Sequence, residues 1–404
     1  MAAPPPPPSG PNQELIKAAK EFAAAAERFD GSQNEQMRLL KEADTLRYLL
    51  ESPFDRMMKQ WEGTTVISAL HLLVETGALE KMPKEGSVTP KEIAALINIE
   101  ESAIARALRL CVMEGIAVET APSTFAHNTK SLAYASPGSR EFFRICMEQL
   151  KAFLKLPDYF KSHTREDLFN LKKSPFAWAF DLEGLTYYEA ISHNPDRFNM
   201  FNMTMTQLEN QVPILGMFPW PTLKAEVEAE PERAFIVDIA GNRGHCLVAI
   251  GKETENGFGG KGKLILQDRP DVIASLTPED IPNIETMVID FFEPQPVKNA
   301  HVYFLRRILH DFYEPVCITI LRNIASAMGP TSRLIIADMI LPDKTELGGD
   351  MTIYWMDFSM MMLNGKEKTK GEFEEILGEA GLELVKIWPF GFGAQANIEC
   401  RLKR

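Results

Sequence analysis

The stretch from Phe235 to Ile250, FIVDIAGNRGHCLVAI, constrains the fold more than any other part of the chain. It begins with an apolar, β-branched run that contains Asp238, a pattern typical of a buried parallel strand. A turn of small residues, Ala240 to Gly244, comes next, and the apolar residues after it have helical spacing. A strand, a tight turn and a helix start form the first unit of a nucleotide-binding α/β domain, although an ordinary βα loop has the same pattern.

Four further apolar runs favour the nucleotide-binding interpretation, because each ends in polar residues. They are Lys263–Asp268, Glu285–Ile289 with Asp290 after it, His301–Leu305 with Arg306 after it, and Arg333–Ala337 with Asp338 after it. The carboxyl ends of the strands in a doubly wound sheet form one ligand crevice. We therefore predict an α/β domain with a doubly wound parallel sheet, in which Asp268 is placed to bind ribose hydroxyls.

Six motifs in a fixed order resemble the S-adenosylmethionine-dependent O-methyltransferases of fungal and plant secondary metabolism. They are VDIAGNRGH, LQDRPDVI, IDFFEPQP, YFLRRILHDF, IADMILP and NGKEKTKGEF. The resemblance extends from about Phe54 to the end of the chain. It implies a Rossmann-like class I methyltransferase domain, an N-terminal winged-helix dimerisation domain, S-adenosylmethionine as cofactor, and hydroxyl substrates of phenolic or polyketide type.

A chain of 404 residues favours more than one domain. We expect a proline-rich tail at 1–13, a mainly helical winged-helix dimerisation domain at 14–134, a helical connector lining the substrate pocket at 135–230, and the cofactor-binding catalytic domain at 231–404. Helical spacing predicts connector helices at 150–160, 177–185 and 187–205. Two short apolar segments, at 115–118 and 125–127, are predicted to be the strands of the wing.

Composition and charge exclude several classes of partner. The net charge of −13 disfavours nucleic acid and anionic membranes, and the expected recognition helix carries only Arg106 and Arg109 as basic residues. The five cysteines are scattered without metal-ligand spacing, so we expect reduced thiols and no metal site. No apolar run is long enough to span a bilayer, and we expect a cytoplasmic homodimer acting on a small molecule.

His310 is the best candidate for a general base, because it follows a predicted strand and precedes an acid. Methyl transfer to a hydroxyl requires that the hydroxyl proton be removed. The resemblance implies that Asp338 and Glu367 flank this histidine, although Glu367 could equally be a solvated charge in a lysine-rich loop. Asp311, the acid after His310, could contribute to the site, or it could only anchor the local backbone.

The resemblance also implies residues for the cofactor and the substrate pocket. The cofactor set is Asp238, Gly241, Gly244, Asp268, Asp290, Phe291 and Arg306. The pocket set is His127, Phe201, Asn202, Met205, Asp357, Met361 and Asn364. Methionines and aromatic side chains suit irregular flat ligands, but a helical core would have the same composition. His127 could also be a surface or hinge histidine.

The chain departs from the family pattern at four positions. Ala240 and Asn242 replace glycines in the turn, Phe312 replaces a tryptophan, and Lys368 replaces an arginine. These changes keep a second function open, in which the fold binds the cofactor without consuming it and catalyses dehydration or pericyclic ring closure. A third alternative is a non-catalytic regulatory homologue.

Overall fold

A computed structural model of the chain describes residues 13–211, 213–391 and 393–403, so the expected proline-rich tail lies outside the described residues apart from Gln13. The helices of the first half are α1 (Gln13–Glu27), α2 (Gln33–Leu50), α3 (Pro53–Glu75), α4 (Ala78–Lys81), α5 (Pro90–Ile97), α6 (Glu101–Met113), α7 (Thr129–Ala135), α8 (Pro137–Ser162), α9 (Pro175–Ala179), α10 (Tyr187–Ser192), α11 (Pro195–Gln211) and α12 (Lys224–Ala229). Those that follow are α13 (His245–Glu253), α14 (Glu255–Gly260), α15 (Pro270–Ala274), α16 (Glu314–Ala325), α17 (Met351–Met360) and α18 (Lys370–Glu379). One-turn 3-10 helices lie at Arg165–Phe169, Trp220–Leu223, Leu309–Asp311 and Met361–Leu363.

The strands form a hairpin and a larger sheet. They are β1 (Ala117–Ala121), β2 (Thr124–His127), β3 (Ala234–Ile239), β4 (Lys263–Asp268), β5 (Ile284–Val288), β6 (Val302–Arg306), β7 (Arg333–Leu341), β8 (Lys368–Thr369), β9 (Leu382–Pro389) and β10 (Gln395–Leu402). β1 and β2 pair antiparallel, at the place where the two wing strands were predicted. The larger sheet has the order β5-β4-β3-β6-β7-β10-β9, with β8 paired to β7.

The sheet confirms the α/β prediction and extends it. β5, β4, β3, β6 and β7 are parallel, and they correspond to the five predicted strands. β10 runs antiparallel to both β7 and β9, which the sequence analysis did not predict. The carboxyl ends of β3, β4, β5 and β6 share one edge, and this brings the predicted cofactor residues together.

Two predicted connector helices are wrong in extent. The helix expected at 177–185 is only α9, Pro175–Ala179, because Asp181 and Gly184 have left-handed φ angles of 58° and 101°. The helix expected at 187–205 is divided into α10 and α11. Pro195 begins α11, and a proline ring restricts the residue before it to extended conformations.

The chain divides into two compact units. The first comprises Met1–Lys151, Ile191–Glu209 and Glu346–Gly349, and the second comprises Ala152–Ala190, Asn210–Thr345 and Asp350–Arg404. The residues of the expected connector are therefore shared between the two units.

The core of the first unit lies between α3, α5, α6 and the β1–β2 hairpin. Its most buried side chains include Leu73, Ile93, Leu108 and Phe125. Capping fixes two of these helices: Ser52 and Asp55 cap α3 reciprocally, and Thr89 and Glu92 do the same for α5, with Pro90 as its first residue.

The second unit packs an apolar cluster on each face of its sheet. One cluster joins the sheet to α16 and α18, through residues such as Leu321 and Phe373. The other joins it to α12 and α13, through Val227 and Leu247. β3 is buried along its whole length, which explains its continuous apolar sequence. Within the described ranges, no helix has both the length and the apolar content needed to cross a bilayer.

Candidate active site

The turn after β3 has left-handed backbone conformations at two residues that are not glycines. Ala240 and Asn242 have left-handed φ angles of 57° and 52°, where glycine is favoured and asparagine is tolerated better than other residues. The backbone N–H of Asn242 donates to Oδ2 of Asp268 over 2.7 Å, and the N–H of Arg269 donates to Oδ1 over 2.8 Å. These bonds fix the Asp268 carboxylate at the end of β4.

Two glycines of the turn have no room for a side chain. A Cβ atom on Gly241 would lie 2.5 Å from both Oδ2 of Asp238 and a methyl carbon of Leu266. A Cβ atom on Gly244 would lie 2.8 Å from a methyl carbon of Ile281, and Gly244 has a φ of 73°. Both glycines are therefore required by the close packing of the turn against the ends of β3 and β4.

Asp238 is a buried acid at the end of β3. Its side chain is 1% exposed, and Oδ2 has no hydrogen-bond partner among the described residues. Burial raises the pKa of Asp238 to about 7; the charge of Arg306 opposes this rise and that of Asp268 adds to it. An acceptor kept without a donor in a ligand crevice is suited to a donor on the ligand.

The remaining predicted cofactor residues lie at the same sheet edge. Asp290 follows β5, is exposed, and accepts a hydrogen bond from the N–H of Phe292 over 2.9 Å. Phe291 is partly buried, and its ring lies 4.8 Å from that of Phe292. Arg306 ends β6, with Nη1 3.5 Å from Nε2 of His245.

His310 lies in a buried cluster with Asp338 and Glu367. Its Nδ1 is 2.9 Å from Oε1 of Glu367, and the two side chains are 7% and 1% exposed. One ligand atom from each of the three residues lies within 4.8 Å of the others. The pairing of β8 with β7, which aligns Lys368 with Ile340, places Glu367 next to Asp338. Glu367 is therefore a buried partner of the histidine, and the alternative of a solvated loop charge is wrong.

The ionisation of these groups follows from burial and from their charges. Burial and Arg307 lower the pKa of His310, but Glu367 and Asp311 outweigh them, so the net pKa lies above its ordinary value. Burial raises the pKa of Asp338 to about 6. For Glu367, burial acts upward, but the charge and hydrogen bond of His310 hold its pKa below the ordinary value. The pairing thus favours the protonated form of His310 and the ionised form of Glu367, each relative to the isolated group.

The backbone around this cluster is held from several sides. Lys368, which is 1% exposed, donates from Nζ to the carbonyl oxygens of Leu309, Phe312 and Lys366 over 2.8–3.0 Å. The N–H of Glu367 donates to Oδ1 of Asp357 over 2.9 Å. Asp357, predicted as a pocket residue, therefore also positions the segment that carries Glu367.

The other predicted pocket residues occupy different places. Asn364 is 1% exposed, and its Nδ2 donates to the carbonyl oxygen of Leu168 over 2.7 Å, while Met361 begins a 3-10 helix and is partly exposed. Phe201, Asn202 and Met205 lie on α11 in the first unit, where Asn202 is exposed and the other two are partly buried.

His127, also in the first unit, is held between Ser131 and the carbonyl oxygen of Leu79. The distances from its Nδ1 and Nε2 are 2.9 Å and 3.0 Å. Burial lowers the pKa of His127.

Two residues of the His310 environment, Arg307 and Tyr188, escaped the sequence analysis, which left the role of Asp311 open. The Nη2 atom of Arg307 lies 3.5 Å from Nδ1 of His310. Asp311 lies 3.4 Å from Nε2 of His310 through Oδ1, and its Oδ2 accepts a hydrogen bond from the hydroxyl of Tyr188 over 2.6 Å. Arg307 stands next to Arg306, and Tyr188 lies far away in sequence, so no motif distinguishes either one.

Comparison with known proteins decides the family of the chain. A family profile described as an O-methyltransferase domain matches residues 169–383. The O-methyltransferase hmp5 of the fungus Hypomyces subiculosus is 39% identical over 98% of this chain and 100% of its own length. The chain belongs to this O-methyltransferase family. It is an O-methyltransferase that uses S-adenosylmethionine.

Solved structures with the same fold cover nearly the whole chain. OxaC in complex with S-adenosylhomocysteine and oxaline is 29% identical, has a TM-score of 0.81, and aligns over 96% of this chain and 99% of its own. A structure described as a pericyclic reaction enzyme is 26% identical, has a TM-score of 0.79, and aligns over 97% of this chain and 100% of its own.

The residues at the sheet edge fit S-adenosylmethionine. The unpartnered Oδ2 of Asp238 would accept from its ammonium group, and the carboxylate of Asp268, fixed by two backbone donors, would accept from the ribose hydroxyls. The ring of Phe291 beside Asp290 would hold the adenine. The bound cofactor supplies an electrophilic methyl group on a positively charged sulfur.

A metal ion is a poor alternative at the His310 cluster, although one imidazole and two carboxylates are a common ligand set. The guanidinium of Arg307 contacts the imidazole, and the ammonium of Lys368 is buried in the same loop. Both cations would repel a dication, so the cluster is poorly suited to a metal ion.

Proposed function

We propose that this O-methyltransferase methylates a hydroxyl group of a phenolic or polyketide-type metabolite, with His310 as the general base. The observation that carries the proposal is the buried bond between Nδ1 of His310 and Glu367. A carboxylate at Nδ1 holds the proton of the neutral imidazole on that nitrogen, and it leaves Nε2 free to accept another.

Proton transfer from a phenol to an ordinary imidazole is uphill by about 3–4 pKa units, or about 5 kcal/mol. Glu367 and Asp311 reduce this cost. They stabilise the imidazolium form and outweigh the burial that opposes it, which is why the pKa of His310 is raised. Asp338, next to the same imidazole, would act as an orienting acid.

The names of relatives and neighbours support O-methylation of a small molecule. The relative hmp5 is described as an O-methyltransferase, and OxaC was solved with the small molecule oxaline. The test is an assay with S-adenosylmethionine and a panel of hydroxylated aromatic polyketides. We expect one mole of S-adenosylhomocysteine per mole of methylated product. The variant His310→Ala should turn over about 10²–10⁴-fold more slowly, with little change in the affinity for S-adenosylhomocysteine.

A second candidate is a reaction in which the cofactor is not consumed. Two observations favour it: the neighbour described as a pericyclic reaction enzyme, and the strained turn at Ala240 and Asn242. In that case the residues would bind the cofactor as a fixed cation beside a dehydration or ring closure. Continued turnover with almost no S-adenosylhomocysteine formed would reject the methylation proposal and support this one.

We also infer that the chain forms a homodimer through α2 and α3. Large apolar side chains lie exposed on these helices, with Leu50, Phe54 and Trp61 exposed by 67%, 62% and 66%. Large apolar side chains that are exposed in a single chain are often covered by a partner. Sedimentation at micromolar concentration should give a dimer mass for the wild type and a monomer mass for the double variant Phe54→Asp, Trp61→Asp. A monomeric wild type would reject the inference.

A further inference from the structure

Arg307 is held at the active site by an unfavourable backbone conformation. It is the first residue after β6 and has a φ of 54°, in the left-handed region that β-carbon residues avoid. Its N–H donates to the carbonyl oxygen of Ala337 on β7 over 3.1 Å, which fixes the turn. Strain at a defined position often accompanies a functional role of that residue.

The guanidinium of Arg307 has donors without acceptors. Nη1 is buried and has no hydrogen-bond partner among the described residues. Nη2 lies 3.5 Å from Nδ1 of His310, but that nitrogen lies 2.9 Å from Glu367 and carries its own hydrogen toward it. A protonated ring nitrogen cannot accept a hydrogen bond. Both ends of the guanidinium fork therefore lack an acceptor.

The nearby carboxylates form no ion pair with this cation, although its charge helps to lower the pKa of Glu367 and opposes the rise in the pKa of Asp338. Glu367 pairs with His310, and Asp311 accepts from Tyr188. In the described part of the chain, no carboxylate oxygen lies within 4.0 Å of Arg307, whereas Arg144 and Arg333 are each paired with at least two acids. The free-energy cost of a buried donor without an acceptor is larger for a charged donor than for a neutral one. A ligand that offers an acceptor to Arg307 would therefore bind more tightly than a ligand that lacks one.

We propose that Arg307 is a specificity-determining residue that binds an oxygen acceptor of the substrate, a carboxylate or acyl oxygen next to the hydroxyl that His310 deprotonates. An acceptor on the ring carbon next to the hydroxyl would lie near both residues, because the guanidinium of Arg307 contacts the imidazole of His310 on its Nδ1 side. A planar fork binds a carboxylate through two parallel hydrogen bonds. This inference rests on the proposed function, since it names the substrate class of the same site.

The first arm of the test measures binding and needs no methyl transfer. Benzoate is titrated into protein saturated with S-adenosylhomocysteine, and the imidazole resonances of His310 are followed by NMR. We expect a saturable shift in the wild type, at least about tenfold weaker binding in Arg307→Met, and an intermediate affinity in Arg307→Lys. Arg322→Met is the matched control, because Arg322 lies on α16 and its guanidinium bonds, among the described residues, to the carbonyl oxygen of Glu379.

The second arm measures selectivity, as the ratio of kcat/KM for 2-hydroxybenzoate and 4-hydroxybenzoate. The wild type should favour the first by about 10- to 100-fold, and Arg307→Met should lose this preference while it keeps its affinity for S-adenosylhomocysteine. A mere loss of folding would lower both rates together and leave the ratio unchanged.

The two arms separate the proposals. No saturable benzoate shift in the wild type, or equal benzoate affinities in the wild type and Arg307→Met, would overturn the role of Arg307. An unchanged selectivity ratio in active Arg307→Met would also overturn it. If benzoate binds through Arg307 but neither hydroxybenzoate is methylated, the binding role stands, and the result counts against the proposed methylation instead.

Discussion

The ammonium of Lys368 lies 2.8 Å from the carbonyl oxygen of Leu309, the residue before His310. Two further carbonyl oxygens, from Phe312 and Lys366, complete its coordination at 3.0 Å and 2.9 Å. The loop that carries His310 is thus tied to the strand that follows Glu367, by a buried cation that has three carbonyl partners.

We predict that Lys368→Met destabilises the protein and lowers turnover. The change removes three buried hydrogen bonds to carbonyl oxygens, each worth about 1 kcal/mol. Urea unfolding should show a loss of about 3 kcal/mol in the free energy of unfolding. Lys370→Met is the control, because Lys370 is 53% exposed and its ion pair among the described residues is with Glu374. Equal stabilities of the two variants would contradict the prediction.

The sequence predicted the parallel part of the sheet well, because strands buried on both faces are continuous apolar runs. The run Phe235–Ile239 and strand β3, Ala234–Ile239, differ by one residue. The antiparallel strands β9 and β10 were missed. The burial of β9 changes from residue to residue, so its sequence has no continuous apolar run to detect.

The candidate site was predictable only where a strand end or a motif marked it. Glu367 and His310 are 57 residues apart, so the resemblance paired them, and the packing of β8 on β7 brings them together. Arg307 illustrates the limit. No sequence pattern distinguishes it from the neighbouring Arg306. In the structure Arg307 has a left-handed φ angle, and its Nη2 lies 3.5 Å from Nδ1 of His310.

We predict a pH profile governed by His310. Its raised pKa means that the free enzyme gains a working base as pH rises, so kcat/KM should increase with a midpoint above 6.5. Glu367→Gln keeps an acceptor for Nδ1 but removes the negative charge that raises the pKa. The midpoint should then move to lower pH, and kcat should fall about tenfold. Glu374→Gln, on the exposed face of α18, should leave the profile unchanged, and a midpoint that does not move in Glu367→Gln would contradict the assignment.

We predict that Ala240→Gly stabilises the cofactor turn. Alanine at a φ of 57° is strained by about 1–2 kcal/mol, and glycine removes this strain at an entropic cost of about 0.5–1 kcal/mol. The affinity for S-adenosylhomocysteine, measured by calorimetry, should rise a few-fold or stay equal. Ala249→Gly, inside α13, should instead destabilise the protein by about 1 kcal/mol. Weaker cofactor binding by Ala240→Gly would show that the strain is not carried by this residue.

The last prediction concerns Asp238, whose pKa is raised from 3.8 to about 7 by burial. Between these pH values the folded protein holds a proton that the unfolded chain has lost, so the stability contributed by Asp238 is present below pH 4 and is lost as pH rises through 7. Asp238→Asn has no such proton. Its free energy of unfolding, relative to wild type, should therefore be higher at pH 8 than at pH 5, by about 1–3 kcal/mol.

The same substitution should weaken S-adenosylhomocysteine binding by about 10- to 100-fold, because an amide cannot offer the charged acceptor that Asp238 keeps for the cofactor ammonium. Urea unfolding at the two pH values and calorimetry at pH 8 test both parts. Asp343→Asn, at an exposed position, is the control for the general effect of removing a carboxylate. A difference from wild type that is the same at pH 5 and pH 8 would mean that Asp238 is ionised in the folded protein throughout, paired with Arg306 rather than kept for a ligand.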